Sequence, residues 1–113
     1  MPTLRELVST LRQRPGIDAA LVAGRDGLIV AGDASPHVDL DETAARIPPL
    51  IAAVQGLTEG DSTAVIEHAG GHLVYLSLSR EDSVLVVLAG AGADLAPLIT
   101  DLRRYRDRIA ELV

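Results

Sequence analysis

The sequence predicts an α/β protein of the α+β type, with the element order α-β-β-α-β-β-β-α. Between Asp61 and Ala89, three runs rich in Val, Leu and Ile are separated by Gly70-Gly71 and by residues 80–82, the pattern of three consecutive antiparallel strands. Earlier in the chain, Asp26-Gly27 joins two short apolar runs and predicts a β-hairpin. Segments with apolar residues at helical spacing come before, between and after these strands.

Length and composition narrow the class of protein. The chain has 113 residues, 48% of them hydrophobic, and a formal net charge of −6. This length predicts a single domain over residues 1–113 with its own core, and the hydrophobic content excludes a disordered chain. The negative charge and an aromatic content of 2% argue against a nucleic-acid partner, because such proteins need a basic surface and often stack bases on aromatic rings.

Catalytic, metal-binding and membrane-binding residues are scarce in the sequence. With no cysteine, the chain can form no disulfide and no cysteine metal site. No signal-peptide segment stands at the N-terminus and no apolar run approaches the ~18 residues of a membrane span. We therefore expect a cytoplasmic protein that has no membrane partner, no catalytic residues, no metal and no cofactor.

The histidines are the first residues to consider for a metal site. If Gly70-Gly71 are the two turn residues of a hairpin, His68 opposes Leu73 and His72 opposes Ala69. The two histidine rings then point to opposite faces of the sheet. We expect them to be exposed residues near a hairpin tip rather than metal ligands.

Three further features each have a functional interpretation and a plainer one. Gly90-Ala91-Gly92 lies between a strand and a helix, but it lacks the third glycine and the surrounding βαβ unit of a dinucleotide fingerprint. Arg25 in the first hairpin turn is either an arginine finger for a GTPase or a turn residue facing solvent. The arginines of residues 103–108 form either a solvated helix face or a surface for an acidic partner. The plainer interpretation is favoured in all three.

The first helix and hairpin have clear local signals. Thr3 and Glu6 form a capping box for a helix over residues 3–14, which Pro15-Gly16 ends. Its apolar stripe is Leu4, Leu7, Val8 and Leu11. Strands over residues 17–23 and 28–31 then flank the Asp26-Gly27 turn.

The middle helix is predicted over residues 40–57, with Asp39 and Glu42 as its capping pair. Pro48-Pro49 would remove backbone hydrogen bonds inside it, so we expect a break after Arg46 and a second start at Pro49. The helix is apolar on more than one side, through Ala44, Ala45, Ile47, Leu50, Ile51, Ala52, Ala53, Val54 and Leu57. A helix that covered only a sheet would keep a polar side, so a second copy of the chain is expected to cover the other side.

The strand that follows this helix completes the predicted interface. Residues 63–67 could be a sheet edge that pairs across the same two-fold axis. The predicted dimer or partner interface is therefore Ala44, Ile47, Leu50, Ile51, Val54, Thr63, Val65 and Glu67. A last helix over residues 95–112 follows Asp94 as its cap; its inward residues are predicted to be Leu95, Leu98, Ile99, Leu102, Tyr105 and Ile109.

Five segments together carry a resemblance to a known family: residues 16–22, residues 25–31, residues 65–68 before the glycine turn, residues 84–88 and the last helix. In these the chain resembles the roadblock family, named for dynein light chains and including bacterial MglB-type regulators of Ras-like GTPases. The resemblance implies a five-stranded antiparallel sheet in the order 2-1-5-4-3. The first and last helices would lie on one face of this sheet and the middle helix on the other.

The resemblance also implies a function. Members of the family dimerise through the middle helix and third strand, which gives a continuous ten-stranded sheet, and they serve as non-enzymatic platforms for small GTPases. Some bacterial members stimulate the GTPase by ordering its own residues. We therefore expect a homodimeric adaptor that binds a Ras-like small GTPase and regulates its GTP hydrolysis. The alternative is a scaffold for a sensor kinase or a motility or transport complex, without effect on nucleotide.

Overall fold

A computed structural model describes residues 3–56, 63–68, 70–78 and 83–112 of the chain. Four helices and five strands follow one another in these ranges. Their bounds are α1 (Leu4–Arg12), β1 (Ile17–Gly24), β2 (Ile29–Ala34), α2 (Leu40–Ala45), α3 (Ile47–Gln55), β3 (Thr63–His68), β4 (Gly71–Ser77), β5 (Ser83–Gly90) and α4 (Leu95–Leu112).

The five strands form one antiparallel sheet in the order β2-β1-β5-β4-β3, which confirms the predicted topology. The central strand β5 pairs with both β1 and β4. Its residues Val84 to Val87 are each 1% exposed or less, because helices cover both faces of the sheet at this point. Such two-sided apolarity is what a fully buried strand requires.

The helices lie in two layers, as predicted. Buried residues of α1 and α4 pack with Val22, Val74 and Leu85 on one face of the sheet. Buried residues of α2 and α3 pack with Leu21 and Tyr75 on the other face. In α1, the side chain of Thr3 accepts a hydrogen bond from the Glu6 backbone N–H at 3.2 Å, which confirms the predicted cap.

The middle helix is broken at Arg46, as the proline pair predicted. The second helix starts at Ile47 rather than Pro49, so both prolines stand in its first turn. In that turn the missing proline N–H costs no intrahelical hydrogen bond, and the fixed proline φ suits the helix. Helix α3 ends at Gln55; the predicted extension to Leu57 and the predicted turn at residues 80–82 lie outside the described residues.

The first hairpin has the predicted turn but a longer second strand. Gly27 has φ +86°, and a Cβ there would lie 2.9 Å from the Ala44 carbonyl oxygen, so this glycine serves both the turn and its packing against the helix break. Strand β2 extends to Ala34 because residues 32–34 pair with β1. The sequence analysis ended this strand at residue 31, three residues too early, because pairing with β1 and not local composition decides where the strand ends.

The predicted register of the β3–β4 hairpin was wrong. Glu67 lies opposite His72, and His68 lies opposite Gly71, whereas the prediction paired His68 with Leu73. The reason is that Gly71 belongs to β4: it has φ +139°, and a Cβ there would lie 2.2 Å from the Ala89 carbonyl oxygen. Gly71 therefore allows β4 to approach β5 closely rather than forming the turn.

The inward residues of α4 were predicted correctly with one exception. Leu98, Leu102 and Ile109 are buried, and Leu95 and Ile99 are partly buried against the same core. Tyr105 shares their stripe but is 38% exposed. At this turn α4 faces a groove beside α1 rather than the sheet, so the tyrosine ring lies at the groove.

Candidate partner-binding surface

The inner stripe of the middle helices, defined as Ala44, Ile47, Ile51 and Val54, belongs to the core of the chain itself. Each of these residues is at most 8% exposed. They pack against Leu21, Tyr75 and Val86 of the sheet. This face of the sheet is covered by α2 and α3, so their largest apolar side chains are turned toward it. Four residues of the predicted interface are therefore out of reach of a partner in this arrangement.

The outer stripe of α3 consists of Pro49, Ala52, Ala53 and Gly56, all exposed. Their spacing of three, four and seven residues places them on one side of a helix. None carries a charge, and all have small or compact side chains. The exposed side of α3 is therefore uncharged, and the residues that form it are not those of the predicted interface. That a second copy covers this side stays a prediction.

Leu50 is the residue of the predicted interface that lies between these two stripes. It is partly buried and lines a cavity of about 160 Å³ together with Ile47, Leu73 and Val86, with Thr43 and Arg46 as the polar lining. Leu73 in turn pairs with Ile66 of β3. The cavity therefore lies between the middle helices and strands β4 and β5.

The β3 residues of the predicted interface lie on the other face of the sheet. Val65 pairs with Val74 of the α1–α4 core. Thr63 accepts a hydrogen bond from the Arg106 guanidinium of α4 at 3.0 Å. By strand alternation Glu67 shares this face. The α3 face of β3 instead presents Ala64 and Ile66. The predicted interface left these two residues out, because strand alternation separates the two sets of residues without showing which set faces α3.

Strand β3 is an exposed edge of the sheet. It stands last in the strand order, and Val65 and Ile66 are 43% and 38% exposed on opposite faces. Glu67 beside them is also exposed. An edge strand with unpaired backbone groups and large apolar side chains is a template for pairing with another strand. The predicted interface residues thus fall into three places. The four inner-stripe residues are in the core, Leu50 lines the cavity beside α3, and the three β3 residues lie on the α4 face of the sheet.

The described part of the chain contains no grouping of three or more His, Cys, Asp or Glu residues that could hold a metal ion. His37 is exposed and lies within 2.9 Å of the Ser35 hydroxyl, and His72 lies across the strand pair from Glu67. Arg25 is exposed at a turn in which the Asp26 carboxylate accepts a hydrogen bond from the Leu28 N–H at 3.0 Å. The Ser35–His37 contact joins a hydroxyl and an imidazole, but it is exposed, and the nearby Asp18 carboxylate lies 3.9 Å from the ring, beyond hydrogen-bond distance. No helix in the described ranges is long and apolar enough to cross a membrane.

A sheet of this order between two helical layers, with an exposed edge and an uncharged helix side beside it, defines an interaction module. The chain belongs to the Roadblock/LC7 domain family, whose sequence model matches residues 3–89. The uncharacterized protein MJ0310 of Methanocaldococcus jannaschii is 26% identical over 102 residues, which cover 88% of this chain and 90% of that protein.

Solved structures agree with this assignment. A Roadblock/LC7 domain from Streptomyces avermitilis is 27% identical, with a TM-score of 0.66 and coverage of 92% of this chain and 98% of that chain. The gliding protein MglB from Thermus thermophilus is 19% identical, with a TM-score of 0.80 and coverage of 96% of this chain and 87% of that chain. At that identity the likeness to MglB shows the fold.

Proposed function

We propose that residues 1–113 form a single non-catalytic Roadblock/LC7 domain that dimerises and acts as an adaptor for a Ras-like small GTPase. Its output in this proposal is stimulation of GTP hydrolysis through ordering of the GTPase's own residues. The observation that carries the proposal is the combination of an uncharged, exposed side of α3 with an exposed edge strand β3, whose Ala64 packs against the same core cluster as α3. Family membership supports the adaptor role, because Roadblock/LC7 domains are generally non-catalytic adaptors.

The dimer proposed here pairs β3 with β3 of a second copy. Such pairing would satisfy the free backbone groups of the edge and would cover Val65 and Ile66 together. It would also place α3 and its copy side by side on one face of the joined sheet, because α3 lies on the face that Ile66 shares. Small residues such as Ala52, Ala53 and Gly56 let two helices approach closely, and an uncharged contact avoids the cost of burying unpaired charge.

The GTPase would bind the composite surface that two copies create. A dimer has one two-fold axis, so a single asymmetric GTPase placed across it would contact both copies. In this proposal the GTPase supplies the catalytic groups, and the dimer positions them. Arg25 is held at the far end of the sheet, in the β1–β2 turn, and therefore is not assigned a catalytic part.

The test is a GTP-hydrolysis and binding assay with the purified Ras-like GTPase of the same organism. The expected result is a complex of two copies of this chain with the GTPase and an increased rate of phosphate release. Arg25→Ala should leave both unchanged, whereas Ala53→Arg should reduce both. Binding without a rate change would reduce the role to recruitment, and absence of a complex would favour a scaffold for a non-GTPase partner.

A further inference from the structure

The face of the sheet opposite α3 carries a groove between α1 and α4. Its volume is about 290 Å³, and its floor is apolar, formed by Leu7 and Leu11 of α1 and by Leu102 and Ile109 of α4. Leu11, Leu102 and Ile109 are at most 9% exposed, so the floor is part of the core, while Leu7 is partly buried. The lining residues of α1 recur every three to four positions, as do those of α4. The groove therefore follows both helices for about 11 Å, or two helical turns at 1.5 Å per residue.

One end of the groove is held by an ion pair between the two helical segments. The Arg14 guanidinium contacts the Asp101 carboxylate at 2.6 Å, and both side chains are 31% exposed. Asp101 is the acidic residue of the lining, and its charge is matched by Arg14. This pair connects the segment that follows α1 to helix α4. The other basic residue of the lining, Arg108, has no acidic neighbour among the lining residues.

The other end carries an exposed aromatic–arginine pair. The Arg108 guanidinium carbon lies 5.9 Å from the centre of the Tyr105 ring, and Tyr105 is 38% exposed. Tyr and Arg are the residue types most enriched among those that dominate binding energy at interfaces. The chain has two tyrosines, of which Tyr75 is buried in the core on the other side of the sheet. Tyr105 is thus the aromatic side chain that this fold offers to a partner.

The charge around the groove indicates what it binds. Arg108 is a basic residue of the lining, and Arg104 stands one turn before it on α4, exposed and outside the lining. The acidic residues Asp107 and Glu111 of α4 are exposed but do not line the groove. In a chain with a net charge of −6, the lining of this groove carries two arginines, Arg14 and Arg108, against one acidic residue, Asp101. An acidic segment would be favoured here and disfavoured over most of the remaining surface.

From this apolar floor and the excess of arginine in the lining, we propose that the α1–α4 groove binds an amphipathic helix of another protein, with acidic residues beside its apolar stripe. Two turns of groove accommodate apolar side chains at positions i, i+3 or i+4, and i+7 of such a helix. Its carboxylates face Arg108 and Arg104. The groove is on the opposite face from the outer stripe of α3, so this helix and the partner of the α3 surface can bind at the same time. The inference goes beyond the proposed GTPase role and does not depend on it.

The experiment uses a displayed library of 16-residue helical peptides on one scaffold, selected against the full chain. We expect enrichment of peptides with apolar residues at helical spacing and Glu or Asp on the flanks. A synthetic peptide of the enriched sequence should bind the wild-type chain in a fluorescence-anisotropy titration. Tyr105→Ala and Arg108→Glu should each weaken this binding at least about tenfold. Arg108 is exposed, so thermal unfolding of Arg108→Glu should match that of the wild type, which separates a loss of binding from a loss of folding.

The matched control is Arg103→Glu, which makes the same charge change on the same helix outside the groove lining, and it should weaken binding less than about threefold. Ala53→Arg on the other face should leave peptide binding unchanged, which separates this inference from the proposed dimer. The proposal is overturned if no helical acidic sequence is enriched, or if Arg103→Glu is as damaging as Arg108→Glu. It is also overturned if the chain binds vesicles of phosphatidylcholine and phosphatidylserine through Tyr105 and Arg108 in preference to the peptide.

Discussion

The inner and outer stripes of α3 are both apolar, yet they differ in side-chain size and in what covers them. The inner stripe has one alanine and three larger residues, Ile47, Ile51 and Val54, and it is buried against the sheet of its own chain. The outer stripe has Pro, Ala and Gly and is exposed. Hydrophobicity alone does not separate the two, because both lack charge. Side-chain volume does: large residues fill a core, whereas small residues leave a helix side that another backbone can approach.

The largest expected effect is that of Ile51→Asp, which places a charge in the inner stripe. Ile51 is 5% exposed and packs against the sheet. Loss of its side chain and burial of a carboxylate should lower the free energy of unfolding by about 4 kcal/mol or more. This would be a large share of the roughly 5–15 kcal/mol of an ordinary domain. Circular dichroism during urea unfolding measures it.

The control for Ile51→Asp is Ile51→Val, which keeps the apolar character and should cost only about 1 kcal/mol. If Ile51→Asp instead gave a folded monomer with native stability, the inner stripe would be an interface rather than core. The distinction drawn between the two stripes would then be wrong.

The second prediction concerns the outer stripe. Ala53→Arg adds a long charged side chain to an exposed position, so the fold should keep its stability within about 0.5 kcal/mol. In the proposed dimer the same side chain would meet the second copy, and the dissociation constant should rise at least roughly tenfold. Sedimentation velocity over a concentration series measures this change.

Ala96→Arg is the matched control for Ala53→Arg. Ala96 is also an exposed helical alanine, but it belongs to α4 on the opposite face of the sheet. An equal shift of both variants toward monomer would reflect added charge rather than a specific surface. An unchanged dimer in Ala53→Arg would remove the outer stripe from the interface.

The third prediction extends the comparison to the two edges of the sheet. Val30 of β2 is 51% exposed and Ile66 of β3 is 38% exposed, so exposure alone would favour β2 as the partner edge. The proposed dimer instead uses β3. Ile66→Lys should therefore weaken the dimer about tenfold or more, because edge lysines oppose strand pairing. Val30→Lys should leave the dimer unchanged in the same sedimentation experiment, and the reverse ranking would assign the interface to β2.

Local signals in the sequence were sufficient for several elements and insufficient for others. The Thr3 cap, the Asp26-Gly27 turn and the break at Pro48-Pro49 could be predicted because each depends on backbone chemistry within a few residues. The register at Gly70-Gly71 could not, since the need for Gly71 arises from β5, which approaches it from a distant part of the chain. The strand order came from the family resemblance rather than from composition.

The residues of the predicted interface were chosen by helical periodicity, and the structure places four of them in the core. An apolar excess on the middle helix predicted a second covered side, and the structure has an uncharged outer stripe there. Which stripe faces the sheet depends on how α3 is rotated, and both stripes satisfied the same periodicity. Similarly, Tyr105 follows the spacing of the buried leucines, but α1 lies beside it across a groove. Rotation and helix spacing are tertiary properties that a single periodic pattern does not contain.

The smallest expected effect is that of Pro49→Ala, which keeps the outer stripe compact and removes only a conformational restraint. Pro49 stands in the first turn of α3, where its ring limits the unfolded chain without breaking a helical hydrogen bond. Its replacement should lower stability by about 0.4–1 kcal/mol and leave the dimer intact, because alanine is as small as its neighbours in the stripe. Thermal unfolding and sedimentation measure the two quantities. A loss of dimer with unchanged stability would show that the proline ring itself contacts the second copy, which would place the centre of the interface at the start of α3 rather than at Ala52 and Ala53.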